Sequence, residues 1–149
     1  DGLLDKISQL TIVDVGPRSL ETARSRLPHA RSFVASAEKL VPIRTSSQDL
    51  YISLRTYQSS YFDIVNAVRE AYRVLRIGGL FVVSGANAFL GEEDVVIPGL
   101  VIPHTSIVDR DRPFELVDKI RRQLTVMRFE DVGVRSGLTE IFVFGRRAV

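Results

Sequence analysis

The sequence predicts an α/β domain built on a doubly wound, mostly parallel sheet that closes with an antiparallel β-hairpin. Three observations carry this. Stretches of helical period alternate with short β-rich runs along nearly the whole chain, the pattern of helices laid over both faces of parallel strands. Leu80 to Val83 is apolar without alternation, which suits a strand covered on both faces. The last two β-rich runs are joined through Ser136-Gly137, a hairpin signal that turns the final strand against its neighbour.

Each element follows from its residues. Leu3, Leu4, Ile7 and Leu10 fall on one side of a short helical stretch. Thr11 to Val15 is an apolar strand carrying Asp14 near its end. Gly16-Pro17 turns the chain and places proline to open a helix that runs to Pro28. Ala30 to Ala35 and Asp49 to Ser53 are the second and third strands, separated by an irregular stretch from Ser36 to Gln48.

The next helix has Ile64, Val68, Ala71 and Leu75 on its apolar stripe. Ser60 and Asp63 form a capping pair at its start, Arg73 and Arg76 lie in its last turn, and Gly78-Gly79 is its left-handed stop. A long connection, 85–112, follows the buried strand and reads as a lid or substrate-facing insertion. Pro113 opens a helix with Phe114, Val117, Ile120 and Leu124 on its inner face. Val126 to Arg135 and Glu140 to Arg146 are the closing strands.

The 149 residues form one domain, 1–149, of ordinary composition: 45% hydrophobic and 26% charged. The formal charge is only +2 and the basic residues are scattered, against the clustered pattern of a nucleic-acid reader. The sequence shows neither a membrane-length apolar run nor a signal-peptide pattern. The absence of cysteine removes disulfides and thiolate metal sites and fits a reducing, cytoplasmic setting. Two histidines without cysteine leave no metal constellation, although acidic side chains alone could hold magnesium.

The stretch REAYRVLRIGGLFVVSG, Arg69 to Gly85, resembles the helix, turn and fifth strand of the class I S-adenosylmethionine-dependent methyltransferases. VDVGPRSLETARSRLP is similar to that family's second strand and following helix. FVASAEKL and PIRTSSQDLYIS are similar to its third strand, adenine loop and fourth strand. The resemblance implies a Rossmann-like methyltransferase fold, S-adenosylmethionine as cofactor and methyl transfer to a small-molecule acceptor. Ile77 stands where the family commonly has proline.

Site residues follow from the same resemblance. Asp14 stands where a carboxylate binds both ribose hydroxyls, a contact of two charge-assisted hydrogen bonds. Val15 flanks the ribose and adenine. Ser36, Ala37 and Glu38 occupy the adenine loop, with serine where aspartate is usual. Leu54 follows the fourth strand, where the family positions the transferable methyl group and the substrate. Asp1 and Gly2 match the tail of the glycine loop.

On that match the family's first strand and most of the glycine loop are missing from this sequence. That strand normally lies between the second and fourth, so those two must pair directly, borrow a strand, or belong to a longer chain. Arg55 is placed to meet an acidic substrate group, and Tyr57 either to orient or deprotonate the acceptor or to serve as a wall residue. His104, in the long connection, is a second candidate base.

A rival reading is a catalytically inactive scaffold of the same fold. Ser36, Ile77 and the missing strand favour it, since an exposed sheet edge invites a partner chain or a second copy.

Overall fold

Local chemistry sets the element boundaries of the computed structural model, which describes residues 7–59, 61–87, 89–90, 95–97, 100–102, 108–109, 112–137 and 139–149. Strand β1 (Thr11–Asp14) leads through Gly16 into α1 (Pro17–Arg26), with Pro17 at the helix start. Strands β2 (Arg31–Val34) and β3 (Gln48–Leu54) follow, then a 3-10 turn at Thr56–Gln58. Asp63 itself caps α2 (Ile64–Val74) by accepting the Asn66 N–H at 3.1 Å; Ser60 lies outside the described residues.

The stop of α2 differs from the sequence expectation. The helix ends at Val74, and Leu75 already belongs to β4 (Leu75–Ala86). Arg76 accordingly leaves the helix and pairs with Asp49 of β3. Gly78 and Gly79 instead serve a slip in register, where Gln48 faces Leu75 but Leu50 faces Leu80. Gly78 takes up the excess chain at φ 77°. A Cβ on Gly79 would stand 2.8 Å from the Arg76 carbonyl oxygen and 3.2 Å from that of Gln48. Gly79→Ala is therefore expected to destabilise the fold by about 1–3 kcal/mol, read as a lower denaturant midpoint at unchanged slope.

Within the long connection, β5 (Phe89–Leu90) pairs with β8 (Val108–Asp109), and β6 (Val95–Ile97) with β7 (Leu100–Ile102), both antiparallel. Helix α3 (Arg112–Val126) then leads to β9 (Phe129–Ser136) and β10 (Glu140–Arg147). In α3 the buried residues are Pro113, Leu116, Val117, Ile120 and Leu124, whereas Phe114 is 65% exposed. At 3.6 residues per turn Phe114 points about 100° away from its neighbour Pro113, off the stripe that faces the core. No helix among the described residues is long and apolar enough to cross a membrane.

Four strands form one sheet in the order β3-β4-β10-β9. β3 and β4 are parallel, and β10 is antiparallel to both of its neighbours. Helices α2 and α3 bury one face of this sheet through Val68, Ala71, Ile120 and Leu124, packed on Phe81 and Val143. β1 and β2 form a separate parallel pair. Val13 and Phe33 attach that pair to Leu40, Ile43 and Val74. The sheet is thus parted between β1 and β3, where the resemblance puts the family's first strand. Direct pairing of the two flanking strands does not occur.

Candidate functional site

The carboxyl ends of β1, β2 and β3 meet at one end of the parted sheet. The link is a hydrogen bond: Glu38, after β2, accepts the Asp63 N–H at the start of α2 at 2.8 Å. Between them lies a cleft of about 400 Å³, within the usual range for small-molecule sites. Asp14, Val15, Ser36, Ala37 and Glu38 border it on one side. Ile52, Ser53, Thr56, Ser59 and Phe62 border it on the other.

Asp14 Oδ1 accepts the Gly16 N–H at 2.6 Å, which turns the carboxylate back over the strand end and leaves Oδ2 for a ligand. Ser36 Oγ accepts the Glu38 N–H at 3.1 Å and keeps its own proton to donate. A bridge between Ser36 and Lys39 closes the same turn. The segment beneath is pinned by α2. Arg73 donates to the carbonyls of Leu40 and Ile43, both at 2.9 Å, and to both carboxylate oxygens of Glu70. Glu70 in turn accepts the Leu40 N–H at 2.7 Å.

Hydrogen bonding from Arg73 is the main cause that holds the Glu70 carboxyl below its usual 4.5, against the opposing effect of burial. A depressed carboxyl stabilises the fold above its unfolded pKa, and that contribution is lost as pH falls through the folded value. Glu70→Gln is therefore expected to lower stability above about pH 5 and to converge on the parent below pH 4.5. Urea titrations across that window measure it.

The structure brings together the Asp14, Val15, Ser36, Ala37 and Glu38 group and leaves the others apart. Leu54 is 61% exposed and does not line the cleft. Arg55 sits at φ 59° and forms an ion pair with Glu140, so its charge already has a partner. Its N–H donates to the Ser84 carbonyl, tying the end of β3 to β4.

Of the two readings of Tyr57, base or wall, the structure favours the wall. It is 1% exposed, packed on Phe62 and Phe81, with its hydroxyl 3.3 Å from that of Tyr51. Burial, then the Tyr51 phenol, pushes it well above the usual phenol value, so it is a wall behind the cleft. Asp1, Gly2 and His104 lie outside the described residues.

Sequence reasoning missed Ser53, Thr56, Ser59 and Phe62. Their signal was positional: polar and aromatic residues at and just beyond a parallel strand's carboxyl end.

A family model described as "Methyltransferase domain" matches residues 2–83. Solved structures share the fold at low identity. The CurJ carbon methyltransferase is 11% identical with a TM-score of 0.67, over 95% of this chain and 42% of that one. A S-adenosylmethionine-dependent methyltransferase from Methanosarcina mazei is 13% identical with a TM-score of 0.64, over 95% of this chain and 82% of that one. The N-methyltransferase NodS from Bradyrhizobium japonicum, solved with S-adenosyl-L-homocysteine, is 15% identical with a TM-score of 0.57, over 93% of this chain and 66% of that one.

The chain spans about half the length of several structures it matches. With more than half of its residues matched by the family model, the chain belongs to the methyltransferase-domain family.

Proposed function

We propose that this domain transfers the methyl group of S-adenosylmethionine to a small-molecule acceptor by in-line displacement. One observation carries the reading. Asp14 and the Ser36–Glu38 turn, from adjacent parallel strands, border one cleft at the strands' carboxyl ends. The donor set fits the cofactor. Asp14 has a carboxylate oxygen left to accept from a vicinal diol, and Ser36 offers a hydroxyl to an adenine edge.

When bound, the cofactor supplies a methyl group on a sulfonium, transferred as the acceptor's lone pair forms the new bond and the carbon–sulfur pair passes to sulfur. The protein's part is alignment and exclusion of water. Asp14 and Ser36 hold the nucleoside, while Ile52 and Phe62 give the opposite wall an apolar surface. The 85–112 segment leaves β4 beside the Arg55–Glu140 pair and serves as the lid over the acceptor, with His104 as its candidate base. A neutral acceptor would release its proton to water or to that base.

Calorimetric titration with S-adenosylhomocysteine tests the reading. Micromolar binding is expected; no binding at millimolar ligand overturns the cofactor assignment. The parted sheet favours one second reading, an inactive partner-binding domain. Cofactor binding with no turnover across a panel of amine, hydroxyl and carbon acceptors would favour it.

A further inference from the structure

The chain that carries the Ser36–Glu38 turn on to β3 lies in neither helix nor strand. Upstream the turn is held by the β1–β2 ladder, which Ala35 extends by donating its N–H to the Asp14 carbonyl at 3.2 Å. Downstream it has no ladder, and only Leu40 and Ile43 are buried there. Two apolar contacts keep a segment near a surface without fixing its direction, because burial is non-directional.

Arg73 of α2 supplies the direction. Each of its five N–H groups has an acceptor. Nε and Nη2 donate to the two Glu70 carboxylate oxygens, both at 2.8 Å. Nη2 also reaches the Leu40 carbonyl at 2.9 Å, and Nη1 the Ile43 carbonyl at 2.9 Å and the Thr45 hydroxyl at 3.2 Å. Glu70 closes the ring by accepting the Leu40 N–H. The carbonyls of Arg73 and Val74 accept the Ser46 and Ser47 N–H groups, both at 2.8 Å. Glu38 makes its own bond to the start of the same helix, at the Asp63 N–H. The helix is seated on the core through Val68 and Ala71.

We infer that Arg73 is a positioning residue for the base of the bound nucleoside. It fixes the backbone below the Ser36–Glu38 turn, so that the Ser36 hydroxyl and the Ala37 N–H keep one direction toward the cleft they line. The inference rests on the methyl-transfer reading. The base so read is adenine: Ser36 Oγ has a lone pair left for an exocyclic amine, and the Ala37 N–H suits a ring nitrogen without hydrogen. Lysine cannot replace Arg73, since a single ammonium cannot span two carbonyls and both oxygens of a carboxylate.

The test is calorimetric titration of the parent and Arg73→Lys with S-adenosylhomocysteine and with its inosine counterpart, whose 6-oxo group replaces the amine. Hydrogen–deuterium exchange of the unliganded chains accompanies it. The parent is expected to prefer the adenine ligand about tenfold, the worth of about one net hydrogen bond. Arg73→Lys should weaken that ligand about tenfold and the inosine ligand by less than about threefold, so the preference disappears. Exchange at the Leu40, Ser46 and Ser47 amides should quicken about tenfold or more, with β10 unchanged.

Equal weakening of both ligands, a parent without preference, or unchanged exchange at those amides overturns the positioning role and leaves the methyl-transfer reading standing. Faster exchange in β10 would mean that the variant has lost its fold. Glu70→Gln, which removes the charged partner and leaves Arg73 in place, then decides by the same two readouts. A parent that binds neither ligand overturns the methyl-transfer reading, and this inference with it.

Discussion

Phe81→Ala is expected to cost about 3–5 kcal/mol, the largest loss of any single substitution considered for this fold. The ring is fully buried in the middle of β4. It stacks on Tyr51 at 5.4 Å with planes 1° apart, meets Tyr57 edge-on at 6.0 Å and tilts against Phe129 at 5.5 Å. Removing it leaves a cavity bordered by three rings, none of which can follow without leaving its own partner. Tyr51 also lines the cleft, so the loss reaches the site. Chemical denaturation measures the stability change. A loss under about 1 kcal/mol would mean that the aromatic cluster collapses into the gap, contrary to the packing described.

Asp14→Ala is expected to weaken S-adenosylhomocysteine binding by about 10- to 100-fold, each tenfold corresponding to about 1.4 kcal/mol. Two charge-assisted hydrogen bonds to a vicinal diol are removed, each worth about 1.5–3 kcal/mol before reorganisation is counted. The variant also loses the Gly16 turn contact, so a second substitution separates the two effects. Asp14→Asn keeps an oxygen for the Gly16 N–H but carries no charge. It should bind nearly as weakly as Asp14→Ala while unfolding at the parent's midpoint. Parent-like affinity in Asp14→Asn would show that the carboxylate's charge is not what reads the ligand.

The cleft residues most legible in the sequence were those held by local structure. Asp14 closes its own turn with Gly16, and Ser36 closes its own turn with Glu38, so both positions are set by a few neighbouring residues. Glu38 was legible as a loop residue, but its bond to the Asp63 N–H joins segments far apart in sequence. Arg55 and Tyr57 share the segment after β3, yet one pairs with Glu140 and the other turns into the core. Nothing within the stretch LRTYQ distinguishes those two fates. They depend on β10 and on the ring cluster around Phe81.

The sequence by itself determined the alternation of elements, a strand through Leu80–Val83 and the family, because period and short-range turn chemistry are written in consecutive residues; that Leu80 and Val82 are only half-buried while Phe81 and Val83 are buried was not legible there. It misassigned Gly78-Gly79 as a helix stop, since a register slip against Gln48 is a property of two strands and not of one segment. Only the tertiary structure decided how the sheet is joined. The pair β1–β2 stands apart from β3 because the two facing edges do not meet, while Val13 and Phe33 find their packing on Leu40, Ile43 and Val74 instead. Hydrophobic contact tolerates such a gap because it is non-directional. Backbone pairing is directional and does not.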